Sequence, residues 1–324
     1  MNYKLECISC GCKEFKNIAV NSEFNMLRDI TRCNYCDLAF VNPMPDFDEI
    51  QRFYNQQYSL KYKSYHRKKT ATYLVGLFSW YFTNMRIKER FRYLASKGIG
   101  LRGKNILEIG SANGKFLHEL KKRGARVGGV EPSKLESSVS TNKFNITPTA
   151  TSIQDLLSQH KNAYDIIFSY HVLEHLGDPT EELKDIKQLL KDGGYFIGEV
   201  PYTPKDVDSL EQVIRESVFN NLHLFHFNTK SISNLLEKTG FDDIEIERLE
   251  FKSIFKKIYP QANIHYLHPS YERKLVLQFF SFLQAVELVL KSFVGKPTMG
   301  AQILEDLEAE WRGPNDWIRF CARV

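Results

Sequence analysis

The stretch ILEIGSANGKF, residues 106–116, constrains the fold more than any other segment of this chain. A short run of branched apolar residues reaches an acid, Glu108, and two glycines, Gly110 and Gly114, then bracket a tight turn. An amphipathic segment, KFLHELKKRG, starts at Lys115, with Phe116, Leu117 and Leu120 on one face and Gly124 as its stop. Strand, turn and helix in that order form the opening half of a crossover unit, which needs a second parallel strand beside the first. RVGGVE, ending in Glu131, supplies it. Ligands of open α/β sheets sit at the carboxyl ends of the strands, so the Gly110–Gly114 turn and Glu131 fall where a ligand is expected.

The alternation continues. YDIIFSY, ending at Tyr170, reads as a strand, and Asp178 before Pro179 starts a helix that runs through TEELKDIKQLL to a stop at Gly193–Gly194. YFIGEVP is a strand, TKSISNLLEKTGF a helix, DIEIERLEF a strand, and WIRFCARV closes the chain as a last strand. This pattern predicts an α/β protein with a doubly wound, Rossmann-like parallel sheet. Four zones follow: 1–45, rich in cysteine; 46–103, aromatic, basic and helical; 104–251, the α/β core; and 252–324, a helical lid with the final core strand. With 324 residues, 43% of them hydrophobic, the chain can bury a sizeable core. A net charge of +5 falls short of the basic footprint of a dedicated nucleic-acid binder. The N-terminus, MNYKLECISCGC, lacks a signal-peptide pattern, and the expectation is a cytoplasmic protein.

The turn discriminates between ligands. A phosphate-binding P-loop needs four residues between its glycines and a hydroxyl after its lysine; here there are three, and Phe116 follows Lys115. The dinucleotide fingerprint fails too, because Ala112 occupies the place of the glycine that lets backbone touch a pyrophosphate. What remains is E-x-G-x-x-x-G with an acid closing the next strand, at about the ~20-residue offset used for ribose recognition. One carboxylate can accept hydrogen bonds from both ribose hydroxyls. The ligand reads as a nucleoside without a diphosphate, a description that S-adenosylmethionine fits.

With these motifs in order, the core resembles the Rossmann-like S-adenosylmethionine-dependent methyltransferases over roughly residues 104–250. ILEIGSANGKF resembles their first motif, GGVEPS their ribose-binding acid, FSYHVLEHLGDP the motif after the fourth strand, and LLKDGGYFIGEVP the elements that follow. The resemblance implies that Glu108, Gly110, Ser111, Gly114, Glu131, Pro132, Ile153, Tyr170 and His171 bind the cofactor. Gly110, Ser111 and Gly114 would meet the methionine part and ribose, and Glu131 the ribose hydroxyls. Pro132 and the backbone of Ile153 would border the adenine, and Tyr170 and His171 the sulfonium.

Five of six cysteines lie within the first 36 residues. Cys7-x-x-Cys10 and Cys33-x-x-Cys36 are two knuckles whose four thiolates can close a tetrahedral structural zinc site, with Cys12 as a competing sulfur. The segment around CNYCDLAFVNPMPDFDEIQRFYNQQY is similar to the zinc-binding N-terminus of methyltransferases in sugar and cell-surface polysaccharide pathways. Cys321 reads as a buried strand residue.

Methyl transfer to a hydroxyl profits from a base, and histidine suits that role near neutral pH. His175, His223 and His226 are the candidate catalytic residues, while Glu174 reads as a loop-fixing residue. Related sugar C-methyltransferases carry a Glu-His pair near His223; here Leu222 precedes it, which favours O-methylation. The expected acceptor is a sugar or sugar nucleotide, with Arg67, Lys68 or Lys69 as candidate phosphate contacts. A C-methyltransferase acting on a keto sugar, an RNA methyltransferase and a non-catalytic binding module are the alternatives. SYHV after the fourth strand lacks the Asn/Asp-Pro-Pro-aromatic pattern that holds a nucleobase amine. The apolar stretch 274–295 carries a polar stripe and reads as a buried or dimer-forming helix, with membrane-surface contact a minor option. Glu131→Ala is expected to weaken S-adenosylmethionine binding severely while leaving the fold intact; unchanged affinity by calorimetry refutes the ribose assignment.

Overall fold

The computed structural model describes residues 6–21, 28–52, 73–204, 223–249 and 317–324. Two sheets organise them. The first is antiparallel, built from β1 (Phe15–Asn21), β2 (Arg28–Cys33) and β3 (Ala39–Asn42), and it is completed from far along the chain by β8 (Phe225–His226). The second has six strands: β4 (Asn105–Ile109), β5 (Arg126–Val130), β6 (Tyr164–Tyr170), β7 (Leu190–Pro201), β9 (Asp242–Leu249) and β10 (Trp317–Arg323). Their spatial order is β5-β4-β6-β7-β10-β9.

The helices are α1 (Phe47–Arg52), α2 (Tyr73–Ser96), α3 (Lys115–Lys122), α4 (Lys134–Phe144), α5 (Gln154–Leu157), α6 (Pro179–Leu189) and α7 (Thr229–Lys238). Asp178 caps α6 as its sequence demands: the carboxylate accepts the Thr180 and Glu181 amides at 3.0 and 3.3 Å, with Pro179 next in line.

Two expectations are corrected. The sheet is mixed rather than wholly parallel: β4–β5, β4–β6 and β6–β7 are parallel, but β10 runs antiparallel to both β7 and β9. Residues Ile318–Ala322 are buried throughout. An apolar run reports that a strand is buried, and strand direction leaves no mark on it. Helix α6 also stops earlier than Gly193–Gly194. It ends at Leu189, and the chain enters β7 at Leu190 through an irregularity between the pairs Tyr164↔Leu190 and Ile166↔Tyr195. Gly193, at φ 69°, serves that irregularity rather than a helix cap.

Alternation along β4 separates the two faces of the sheet. Ile106 joins Ile87, Leu94, Phe116, Leu117, Leu120, Phe168 and Ile197 on one side. Leu107 and Ile109 join the other side, which continues without a break into the cysteine segment: Cys7, Cys33, Cys36, Leu38 and Phe40 share a core with Leu224, Phe225, Phe227 and Ile232.

Polar contacts fix that junction. Asn228 closes a capping box on α7, accepting the Ser231 amide at 2.8 Å, and its amide nitrogen donates to the Cys36 carbonyl at 2.9 Å. Ser9 Oγ donates to the Ser231 carbonyl, and Lys238 Nζ to the Ile8 carbonyl, both at 3.0 Å. Arg67, Lys68, Lys69 and the apolar stretch 274–295 lie outside the described residues. Among the described residues no helix is long and apolar enough to cross a membrane.

Candidate active site

The carboxyl ends of β4, β5 and β6 meet at the glycine turn. Gly110 and Gly114 have φ of 70° and 73°. A Cβ on Gly110 would lie 2.4 Å from Val172 Cγ2, and one on Gly114 would lie 2.0 Å from Ser140 Oγ. Both positions therefore need glycine for backbone conformation and for space. The Gly110 and Ser111 amides donate to the Val130 carbonyl at 2.9 and 3.0 Å, which seats the turn against the end of β5.

Glu131 follows directly. Its Oε2 accepts the Ala112 amide at 2.8 Å and its Oε1 the Ser133 amide at 2.7 Å. Each oxygen has a further lone pair, so the same carboxylate can still receive ribose hydroxyls. Burial pushes its pKa up, against the pull of these two amides. The Glu131 amide donates to the Ala150 carbonyl at 3.1 Å, bringing in the segment that carries Ile153, a buried residue at the start of α5. Pro132 is exposed beside Glu131.

Among the described residues, three buried polar atoms around the turn make no hydrogen bond: Glu108 Oε2, Ser111 Oγ and Ser169 Oγ, the last on the residue paired with Ile109. Burial pushes Glu108 up to about 8, with Arg90 pulling it down and Glu131 adding to the rise. Unused acceptors beside a ribose-type carboxylate, in a turn too tight for a side chain, fit a cationic nucleoside such as S-adenosylmethionine.

Past β6 the character changes. The Arg90 guanidinium lies 3.4 Å from the centroid of the Tyr170 ring, and Tyr170 stacks on Phe168. Burial raises the Tyr170 phenol far above its usual value, so it stays protonated. His171 adopts φ 57°, a strained conformation for a histidine, and its amide donates to the Glu199 carbonyl at 2.8 Å.

The Glu199 carboxylate is fully buried between two arginines. Oε2 accepts Arg90 Nε and Nη2 at 3.1 and 2.6 Å, and Oε1 accepts Arg319 Nε and Nη2 at 3.1 and 2.5 Å. Burial alone would raise its pKa, but Arg90 and Arg319 override it and hold the group far below the carboxylate range. The sequence reading did not find this network. Its signal was present: Glu199 and Arg319 are charges flanked by apolar residues within strands, and they pair directly across β7 and β10.

The candidate catalytic histidines converge. The Leu224 amide donates to the Glu174 carbonyl at 2.7 Å and the Val41 amide to the Leu224 carbonyl at 3.0 Å, pinning residues 223–228 between the Leu173–His175 turn and β3. Ring centroids of His175 and His223 are 4.8 Å apart, and those of His223 and His226 are 6.0 Å apart. His171 Nδ1 and His175 Nε2 lie 3.5 and 4.0 Å from Glu174 Oε1. Ligand-type atoms of Glu174, His175 and His223 fall within 4.8 Å of one another. Burial lowers His171, lowers His223 far below its ordinary value, and takes His226 down to about 3 with help from Arg32. These three imidazoles are neutral at physiological pH.

In the N-terminal module, Cys7 and Cys36 sulfurs are 3.5 Å apart and those of Cys10 and Cys33 are 3.6 Å apart. All four sulfurs lie within 4.8 Å of one another. A tetrahedral zinc with bonds of ~2.3 Å sets its sulfurs ~3.8 Å apart, which this arrangement fits. Cys12 stands outside the group, its sulfur accepting the Glu14 amide at 3.4 Å.

A Rossmann-like sheet with this turn and ribose-type acid at its strand ends defines a class I S-adenosylmethionine-dependent methyltransferase. Residues 80–246 match a methyltransferase-domain family, and the chain belongs to it. It is similar to the ubiquinone biosynthesis O-methyltransferase of Acinetobacter baumannii (strain AYE): 23% identity over 193 residues, 55% of this chain and 81% of that one. The enzyme of the same name from Cronobacter sakazakii is 30% identical over 116 residues, 33% of this chain and 46% of that one. Haemonchus contortus phosphoethanolamine N-methyltransferase 2, solved with S-adenosyl-L-methionine, is 17% identical with a TM-score of 0.49, covering 95% of this chain and 68% of its own. A second structure of that enzyme, with phosphomonomethylethanolamine and S-adenosylhomocysteine, is 20% identical with a TM-score of 0.48. There the match covers 68% of this chain and 49% of that one.

Glu108 keeps its proton to about pH 8 when folded, against 4.5 for an ordinary glutamate. Between those values the unfolded chain binds fewer protons, so the stability linked to this group is present below 4.5 and is lost as pH rises through about 8. Glu108→Gln in the ligand-free protein is therefore expected to raise the melting temperature by a few degrees above pH ~8.5 and to change it little at pH ~5. Thermal melts at both values check this, and equal effects refute it.

Proposed function

We propose that the enzyme transfers a methyl group to a hydroxyl oxygen of a small molecule, a sugar or sugar nucleotide. The observation that carries O-methylation is the cluster of His175, His223 and His226 beside the buried Glu174. A neutral imidazole can take the proton a hydroxyl releases as it attacks. Supporting it, Leu222 stands where sugar C-methyltransferases have the carboxylate of a Glu-His pair. The sugar acceptor rests on the cysteine segment, which resembles that of sugar-pathway methyltransferases. A second reading, O-methylation in ubiquinone biosynthesis, is favoured by the names of the Acinetobacter and Cronobacter relatives.

Gly110, Ser111 and Gly114 would hold S-adenosylmethionine along the turn, Glu131 would accept its ribose hydroxyls, and Glu108 is suited to its amino end. When bound, the cofactor supplies an activated methyl on a sulfonium, so the chain's own task is to align the acceptor, exclude water and move one proton. His223 would receive that proton from the acceptor hydroxyl. Glu174, clustered with His175 and His223, would stabilise the imidazolium that results.

Cys7, Cys10, Cys33 and Cys36 would hold a structural zinc. Because β3 of that module pairs with β8, the metal would brace the loop that carries His223 and His226.

His223→Ala is expected to cut turnover by about 10²-fold or more with cofactor affinity unchanged, as loss of a general base does, while His175→Ala costs less. Single-turnover methyl transfer from labelled cofactor reads both, and full rates in both variants exclude a base among this pair. Elemental analysis of the purified protein should find about one zinc per chain. A folded, metal-free preparation removes the zinc assignment, and a second metal that disappears in His223→Ala would place a cation at Glu174, His175 and His223.

A further inference from the structure

Three arginines converge on Glu199, and they are not equivalent. Arg90 commits its guanidinium to Glu199, and Arg319 commits its own to Glu199 and Glu89. Arg86 does neither. Its Nη2 stops 3.9 Å from Glu199 Oε2, beyond hydrogen-bond reach, and donates instead to His171 Nε2. Among the described residues its Nε has no partner. The Trp317 ring lies 4.9 Å from the Arg86 guanidinium carbon, and among the described residues the Trp317 indole N–H has no partner either. The Arg86 side chain remains 37% exposed, against 10% for Arg90 and 1% for Arg319.

Among the described residues, the charges in direct contact with one another at this corner do not balance. Three guanidinium groups there face the carboxylates of Glu89 and Glu199 directly, and the buried Glu174 reaches the corner only through His171. Glu247, 4.0 Å from Arg319 Nη1, is largely in solvent. Burial and the repulsion of Arg90 together pull the Arg86 pKa down to about 10. His171, whose far nitrogen leans on Glu174, presents Arg86 with its neutral form and leaves the surplus charge in place. A guanidinium held only by a long ion pair to Glu199, with unused N–H donors beside it, calls for a ligand made of acceptors.

The position suits an acceptor molecule. His171 comes directly after β6, Trp317 pairs with Pro201 at the same end of the sheet, and the neighbouring Val172 touches Gly110 of the cofactor turn. The geometry points to an oxyanion subsite formed by Arg86 and Trp317 that holds a phosphate or carboxylate group of the methyl acceptor. This rests on the methyltransferase function proposed above and narrows its acceptor to a sugar phosphate, a nucleotide-linked sugar or a sugar acid. Arg86 would bind the oxyanion through its planar fork, with the indole N–H as a second donor. A neutral sugar hydroxyl, which must donate as well as accept, gains less from a surface made of donors alone.

The test uses the full chain saturated with S-adenosylhomocysteine, titrated with inorganic phosphate, UDP and glucuronate, with glucose as the neutral control. Tryptophan fluorescence and calorimetry read binding. At least one anion should bind saturably and glucose should not. Arg86→Gln should weaken that anion about tenfold or more, the usual cost of losing a hydrogen bond to a charged group. Arg86→Lys should restore part of the loss, and Trp317→Phe should weaken binding less than Arg86→Gln does. Preference for UDP marks a nucleotide-linked acceptor, for glucuronate a sugar acid, and for phosphate a sugar phosphate. No saturable anion binding, or equal affinity in wild type and Arg86→Gln, overturns the subsite. Should Arg86→Gln fail to bind S-adenosylhomocysteine, Arg86→Lys and Trp317→Phe decide, and unchanged anion affinity in both overturns it. Absence of S-adenosylhomocysteine binding by the wild type would instead overturn the methyltransferase function itself.

Discussion

Glu199 joins three parts of the chain at a single buried carboxylate and its own carbonyl. Its carboxylate binds Arg90 on α2 and Arg319 on β10, and its carbonyl accepts the amide of His171 at the end of β6. A carboxylate buried to this depth is costly unless paired and fully hydrogen-bonded, and here each oxygen has its own guanidinium. Without it, two buried cations would face one another, a situation that typically costs ~3–5 kcal/mol. The interaction also fixes where β10 enters the sheet, because Arg319 stands opposite Glu199 in the β7–β10 register.

That ion pair divides the strand ends into two chemical halves. Over β4 and β5 the surface is a glycine turn with unused acceptors, the environment for a cationic nucleoside. Over β6, β7 and β10 it is arginine and tryptophan, rich in donors. The histidine row is borrowed from a third place: β8 hydrogen-bonds to β3 of the cysteine module, and Asn228 grips the Cys36 carbonyl while capping α7. The histidine cluster, the glycine turn and the arginine–tryptophan corner thus rest on separate supports.

Much of this was legible in the sequence. Gly110, Gly114 and Glu131 announce themselves because their roles are local: a turn needs its glycines within a few residues, and the acid closes the very next strand. Asp178–Pro179 and the two C-x-x-C pairs are legible for the same reason. What depends on distant pairing was not. The direction of β10 leaves no trace in its apolar pattern. The union of β3 with β8 joins residues nearly two hundred positions apart. Glu199 and Arg319 stand out as charges among apolar neighbours, but only the register shows that they face each other.

The left-handed backbone at His171 sets two demands against each other at one position. Glycine would occupy that conformation without steric cost, and asparagine with little. Neither would offer Arg86 the ring nitrogen it now contacts. Divergence at this residue is therefore narrow: a chain that relaxes the main chain here must find Arg86 another companion, and a chain that keeps the imidazole must carry the strain in its folded state.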